Sequence, residues 1–142
     1  MNKALMKTVV ASVVMVLLFG GCAGVAKKSP EELIGARLNE FKAGLESKNI
    51  DAVMKTISEQ FTNSEYGDKA GLRDFIAQAA DMGYLDGIQV NVLDAKIKVD
   101  GKKATAYPVE LKGSFGQITM EMGLANEGKN GWMITSIESS GM

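Results

Sequence analysis

The sequence predicts an α+β domain in which three N-terminal helices cover the concave face of a strongly curved antiparallel meander of four strands, giving a cone-shaped α+β barrel. Two observations carry this expectation. Apolar residues recur at helical spacing as far as Gly83 and at strand spacing from Ile88 onward. Within the strand half the inward parity then changes twice, at Leu93-Asp94 and at Tyr107-Pro108, on the two sides of one hairpin. Paired strands that both change parity at the same level must bend together.

Each element has its own signal. Ser29-Pro30-Glu31-Glu32 combines an N-cap serine, a proline at the first helical position and a glutamate three residues after the cap, so a helix starts there. Ile34, Leu38, Phe41 and Leu45 align on one face of it, leaving Arg37, Glu40, Lys42 and Glu46 elsewhere. After Ser47-Lys48-Asn49, the residues Ile50, Val53, Met54 and Ile57 predict a short second helix. Asp68 is a cap for a third, whose Leu72, Phe75, Ile76 and Ala79 line one face before Gly83 supplies a left-handed stop.

In the strand half, Ile88, Val90 and Val92 share one parity and Ala95, Ile97 and Val99 the other, which requires a bulge in a single bent strand. Asp100-Gly101 marks a tight hairpin. The return strand carries Ala104 and Ala106, then Val109 and Leu111, and Pro108, which lacks an amide donor, belongs at an irregularity of its ladder. Ile118, Met120, Met122 and Leu124 form the inward face of the third strand, and Trp132 to Ile137 the last. Glu110 and Glu121 alternate with core positions and are expected to point outward.

Composition excludes several function classes. A chain of 142 residues with 46% hydrophobic and 23% charged residues is expected to build one core. A formal charge of −1, from 16 basic and 17 acidic side chains, offers no basic stripe for nucleic acid. With no histidine, a Ser-His-Asp triad, a Cys-His pair and a histidine general base are all unavailable. The lone cysteine, Cys22, has no partner within the chain for a disulfide or a thiolate cluster. No cofactor and no metal is expected; the adaptable side chains of the methionines suit a loosely specified apolar ligand, and a Cu(I) site built from them is weighed and set aside.

The amino terminus reads as a targeting segment. Lys3 and Lys7 precede the uncharged, Val- and Leu-rich run Thr8–Phe19, which is too short to span a membrane, for which about twenty apolar residues are needed. It runs into Gly20, Gly21 and Cys22. The string LFGGC resembles the lipobox of bacterial lipoproteins, although Phe19 stands where that family has a small or β-branched residue. The resemblance implies a signal peptide over 1–21, a lipidated Cys22 with a flexible tether over 22–29, and a folded domain over 30–142. Two or three acyl chains on Cys22 would anchor the protein stably. Ala23, in place of the aspartate that retains such proteins at the inner membrane, implies the periplasmic face of the outer membrane in a Gram-negative cell. Loss of Lys3 and Lys7 with the leader would leave a mildly acidic domain.

The string from Ile34 to Ile137 resembles the nuclear transport factor 2-like superfamily, also called the SnoaL-like or cystatin-like cone fold. The resemblance rests on KNIDAVMKTISEQF, YGDKAGLRDFI and GWMITSIES in that order. It implies a pocket between helices and sheet that serves as an active site in some members and as a binding or assembly surface in others. Phe41, Phe61, Tyr84, Tyr107 and Trp132 are candidates for lining such a pocket, set against the simpler reading that a core of this size needs these aromatics as filling.

Two functions follow as expectations. The first is a membrane-tethered, non-catalytic binding or assembly module of the bacterial cell envelope, with a small apolar ligand in the cone and a homodimer or envelope protein as partner. The second is a small pocket enzyme of the SnoaL or ketosteroid isomerase type with an Asp base, from Asp74 or Asp94, and a Tyr donor, from Tyr66, Tyr84 or Tyr107. No spacing converges a carboxylate and a tyrosine, so no residue is assigned as catalytic.

Overall fold

The computed structural model describes residues 27–140, so Cys22 and the whole leader reading lie outside the described residues. The first helix, α1 (Pro30–Glu46), opens with the full capping box, Ser29 and Glu32 each bonding the other's backbone amide. Its apolar stripe of Ile34, Leu38, Phe41 and Leu45 is buried throughout. The second helix, α2 (Ile50–Met54), is shorter than the periodicity suggests. Ile57 leaves it to form a parallel bridge with Ile134, with Ser58 N–H donating to the Ile134 carbonyl and Ile134 N–H to the Thr56 carbonyl. That segment therefore covers the outer edge of the last strand, a use that helical spacing alone does not reveal.

A small hairpin, β1 (Thr62–Asn63) and β2 (Gly67–Asp68), leads into α3 (Lys69–Asp81), capped by Asp68 as its sequence indicates. The main sheet follows as β3 (Gln89–Asn91), β4 (Lys96–Asp100), β5 (Lys103–Gly113), β6 (Gly116–Asn126) and β7 (Trp132–Ser139). A single-turn 3₁₀ helix, Gly128–Asn130, links the last two strands.

The expected single bent strand from Ile88 to Asp100 is two strands. β3 and β4 both pair antiparallel with β5, one at each end, and the chain leaves the ladder between Asn91 and Lys96. The Asn91 side chain accepts from Leu93 N–H and donates to Asp94, which satisfies the break locally. Opposite, the β5–β6 register shifts between Ala106 and Val109, spanning Tyr107-Pro108, whose peptide bond is cis. The two interruptions face each other, and the sheet curves there around the helices. A further shift, between Gly123 and Leu124 against β7, leaves Thr135 as the extra residue.

A single cluster of buried side chains runs from Ile34 to Ile137 and draws on all three helices and on strands β3, β5, β6 and β7. The segment from α1 to β7 thus carries a complete core of its own. The arrangement is a mixed α+β cone with three helices on a curved antiparallel sheet.

Candidate functional site

Among the described residues, the cone opens at one end into an apolar pocket of about 260 Å³. Phe41 and Leu45 of α1 form one wall, and Leu72, Phe75, Ile76 and Ala79 of α3 form the second. Tyr84, Leu85 and Ile88 close it from the α3–β3 connection, and the sheet supplies Leu111, Ile118, Met120 and Ile137, with Phe115 from the β5–β6 turn. The lining contains no carboxylate, no amine and no guanidinium; its only ionisable side chains are Tyr66 and Tyr84.

Periodicity explains much of this wall. The same stripes that bury Phe41, Leu72, Ile76 and Met120 continue toward the open end of the cone, where fewer neighbours remain to cover them. Hence Phe75, Tyr84, Phe115 and Ile118 are 46%, 42%, 38% and 38% exposed and form a rim. Phe75, expected inward from its spacing, instead stacks on Tyr66 at this rim, with ring centroids 4.4 Å apart. Burial, reinforced by the neighbouring Glu65 carboxylate, pushes the Tyr66 hydroxyl up to about 12, so it stays neutral through the physiological range.

The structure divides the five candidate aromatics. Phe41 and Tyr84 line the pocket. Phe61 and Trp132 are buried at 1% and 3% exposure but lie in the core away from it. Tyr107 is 44% exposed at the β5 irregularity and touches no part of the pocket, because the parity change there turns its side chain outward. Phe75 and Phe115 are pocket residues that the sequence reading did not select for it, and Tyr66, named there only as a donor for the enzyme alternative, also lines it. Phe115 sits in a two-residue turn between Gly113 and Gly116, and its ring lies where a Cβ on Gly113 would be. A glycine next to a turn aromatic was the available signal.

The acid/base candidates are dispersed. Asp74 is solvated on α3, and Asp94 is exposed at the β3–β4 break with Asn91 as its partner. Glu110, expected to face water, is half-buried and accepts hydrogen bonds from Asn91 and Gln117 at 3.3 and 3.2 Å. None of these reaches the pocket. Among the described residues there is no group of three or more Cys, Asp or Glu side chains placed to hold a metal, and no helix is long and apolar enough to cross a membrane.

No family model and no curated protein matches the sequence. The fold, in contrast, is shared with many solved structures. A protein of unknown function with a cystatin-like fold from Nostoc punctiforme superposes with a TM-score of 0.63 at 13% identity, covering 77% of this chain and 88% of that one. A nuclear transport factor 2-like protein of unknown function from Shewanella oneidensis gives 0.61 at 16% identity, covering 80% and 100%. A candidate ketosteroid isomerase from Shewanella frigidimarina gives 0.61 at 18%, covering 79% and 98%. Fold and site together define a small α+β protein of the cystatin-like, nuclear transport factor 2-like cone architecture with an apolar pocket. At such identities the likeness establishes the fold and leaves function to the site.

Proposed function

We propose that this protein is a non-catalytic module of the bacterial cell envelope that holds a small apolar ligand in its cone and is tethered to the membrane through a lipidated Cys22. The observation that carries the binding half is the chemistry of the pocket wall: apolar side chains on every side and no charged group. A ligand's polar group placed among the aliphatic walls, away from the mouth and its Tyr66 and Tyr84 side chains, would lose its hydration without compensation, costing on the order of 2–7 kcal/mol, so the deeply buried part of the guest is hydrocarbon. Scaling from the cavity of about 150 Å³ that accepts benzene, a guest with on the order of ten carbon atoms matches the volume. The isomerase-type alternative requires a buried carboxylate beside a tyrosine, and Asp74 and Asp94 are both outside the pocket.

Naphthalene, with a matching carbon count, is the probe. Titrated into residues 23–142 and followed by its own fluorescence and by methyl NMR shifts of Leu72, Ile76 and Met120, it should bind saturably at one site. Ala79→Phe, which enlarges a side chain already lining the pocket, should abolish binding while the domain stays folded. Binding undiminished in that variant would place the site elsewhere. Native mass spectrometry of the same fragment reads any ligand retained from the cell and any homodimer.

The tether half rests on the lipobox-like string ending in Cys22. Cys22→Ala should release the protein from the membrane fraction or leave it unprocessed, whereas a normally processed, membrane-bound variant would sink the anchor.

A further inference from the structure

Beside the pocket mouth the chain forms a short segment bounded by two left-handed glycines. α3 ends with Gly83 at φ 79°, where Gly83 N–H donates to the Ala80 carbonyl at 3.0 Å and Tyr84 N–H to the Ala79 carbonyl at 2.9 Å. Gly87, at φ 69°, turns the chain into β3. Between them stand Tyr84 and Leu85, both part of the pocket wall. Beyond the α3 cap the segment's own backbone bonds are local and long, from Asp86 N–H to the Gly83 carbonyl at 3.2 Å and from Ile88 N–H to the Leu85 carbonyl at 3.3 Å. Its side-chain hydrogen bond to the rest of the molecule is the ion pair of Asp86 with Lys48.

Lys48 is itself anomalous. It is the one non-glycine residue with positive φ, 55°, among the described residues. It occupies the position just past the end of α1, where Lys48 N–H donates to the Leu45 carbonyl and Asn49 N–H to the Gly44 carbonyl. That position is ordinarily glycine, because a Cβ is strained in the left-handed region. A side chain kept there despite the strain points to a use beyond the helix, and the contact it makes is Asp86.

We propose that Gly83–Gly87 is a hinged gate over the apolar pocket, latched shut by the Lys48–Asp86 ion pair. The proposal rests on the reading of that pocket as a ligand site. The two side chains are 49% and 64% exposed, so the pair is weak and screened by salt, which suits a latch that must release. Rotation at the two glycines swings the half-exposed Tyr84 off the mouth and uncovers Leu85, which is buried when the gate is shut; it gives up the Tyr84 N–H bond to the Ala79 carbonyl, while the rest of α3 and β3 keep their hydrogen bonds.

Two measurements on residues 23–142 test the gate. In stopped-flow experiments with naphthalene at low salt, Lys48→Ala and Asp86→Asn should each raise entry and exit rates together, by about two- to fivefold, with the dissociation constant changed less than twofold. Added salt at 1 M should speed the unsubstituted protein toward the same rates and leave the variants unchanged. Hydrogen exchange at the amides of Asp86 and Ile88, which bond the Gly83 and Leu85 carbonyls, read without ligand, should accelerate by a similar factor in both variants. Normal affinity with unaltered rates and unaltered exchange would overturn the gate while leaving the pocket reading intact. Absence of naphthalene binding would overturn the pocket reading, and the exchange measurement would still decide whether Lys48 latches the segment.

Discussion

Tyr66 shows how a single side chain reports on its surroundings. Its ring is packed against Phe75 at the pocket mouth, and burial, with the hydrogen bond and charge of Glu65 added, holds its hydroxyl neutral up to about pH 12. An unfolded tyrosine ionises near pH 10, so between about pH 10 and 12 the unfolded chain releases a proton that the folded chain retains. Stability from this residue is therefore full below about pH 10 and falls as pH rises through about 12. Ultraviolet titration, with Tyr66→Phe to identify the step, should show Tyr66 ionising at about pH 12, and Glu65→Gln should bring it part of the way back, since burial remains the larger cause. The sequence signal for Tyr66 was weak: it stands in a turn, next to a glutamate, and nothing in its spacing says that a helix three residues later will bring Phe75 onto it.

At the scale of elements, the polar face of α1 is a set of ties. Arg37 donates to the Trp132 carbonyl at 2.7 Å and the Asn130 carbonyl at 3.1 Å, fixing the helix to the start of β7. Glu46 accepts from Val90 N–H at 2.9 Å while Lys42 donates to the Val90 carbonyl at 2.7 Å, so the pair satisfies both backbone groups on the open edge of β3. Glu46→Ala should leave that amide with weaker solvation and cost about 1–3 kcal/mol in urea denaturation, with the Val90 amide exchanging faster. Lys42→Ala should cost less, because a carbonyl at this half-exposed edge finds water more easily. Gly123 stands at the β6–β7 irregularity, where a Cβ would overlap the Ser136 hydroxyl. Gly123→Ala should destabilise by only about 1 kcal/mol, because rotation of the Ser136 hydroxyl relieves the overlap, and Ser136→Gly in the same chain should recover that loss; unfolding curves of the three variants check it.

For the whole molecule, the curvature that encloses the core also leaves one end open, and the division between filled and open cone separates residues of the same type. Phe61→Ala should cost about 3–5 kcal/mol in stability and leave naphthalene affinity unchanged, because Phe61 is core remote from the pocket. Phe41→Ala should alter which guests bind, favouring larger ones, because its ring forms the pocket wall. Calorimetric titration with naphthalene and a three-ring analogue distinguishes the two. Equal effects on affinity would mean that core and pocket are one space.

Hydrophobic periodicity, with the capping residues Ser29, Glu32 and Asp68, was enough to determine the presence of the three helices, the starts of α1 and α3, most of the inward faces of the strands and the two levels at which the sheet breaks, because these follow from contacts a few residues apart and from the period of two in a strand. The same periodicity could not divide the first bent strand into β3 and β4, since a bulge and a departure from the ladder change parity alike. Nor could it separate Phe61 and Trp132 from Phe41 and Tyr84, or show Phe75 at a rim. All lie on apolar faces, and whether such a face is covered depends on where the cone ends. The ties from Arg37, Lys42 and Glu46 and the Lys48–Asp86 contact were likewise decided by tertiary structure alone. Their partners are backbone groups and side chains distant in sequence, whose need for a hydrogen bond arises only once the sheet has curved and its edges have been left open.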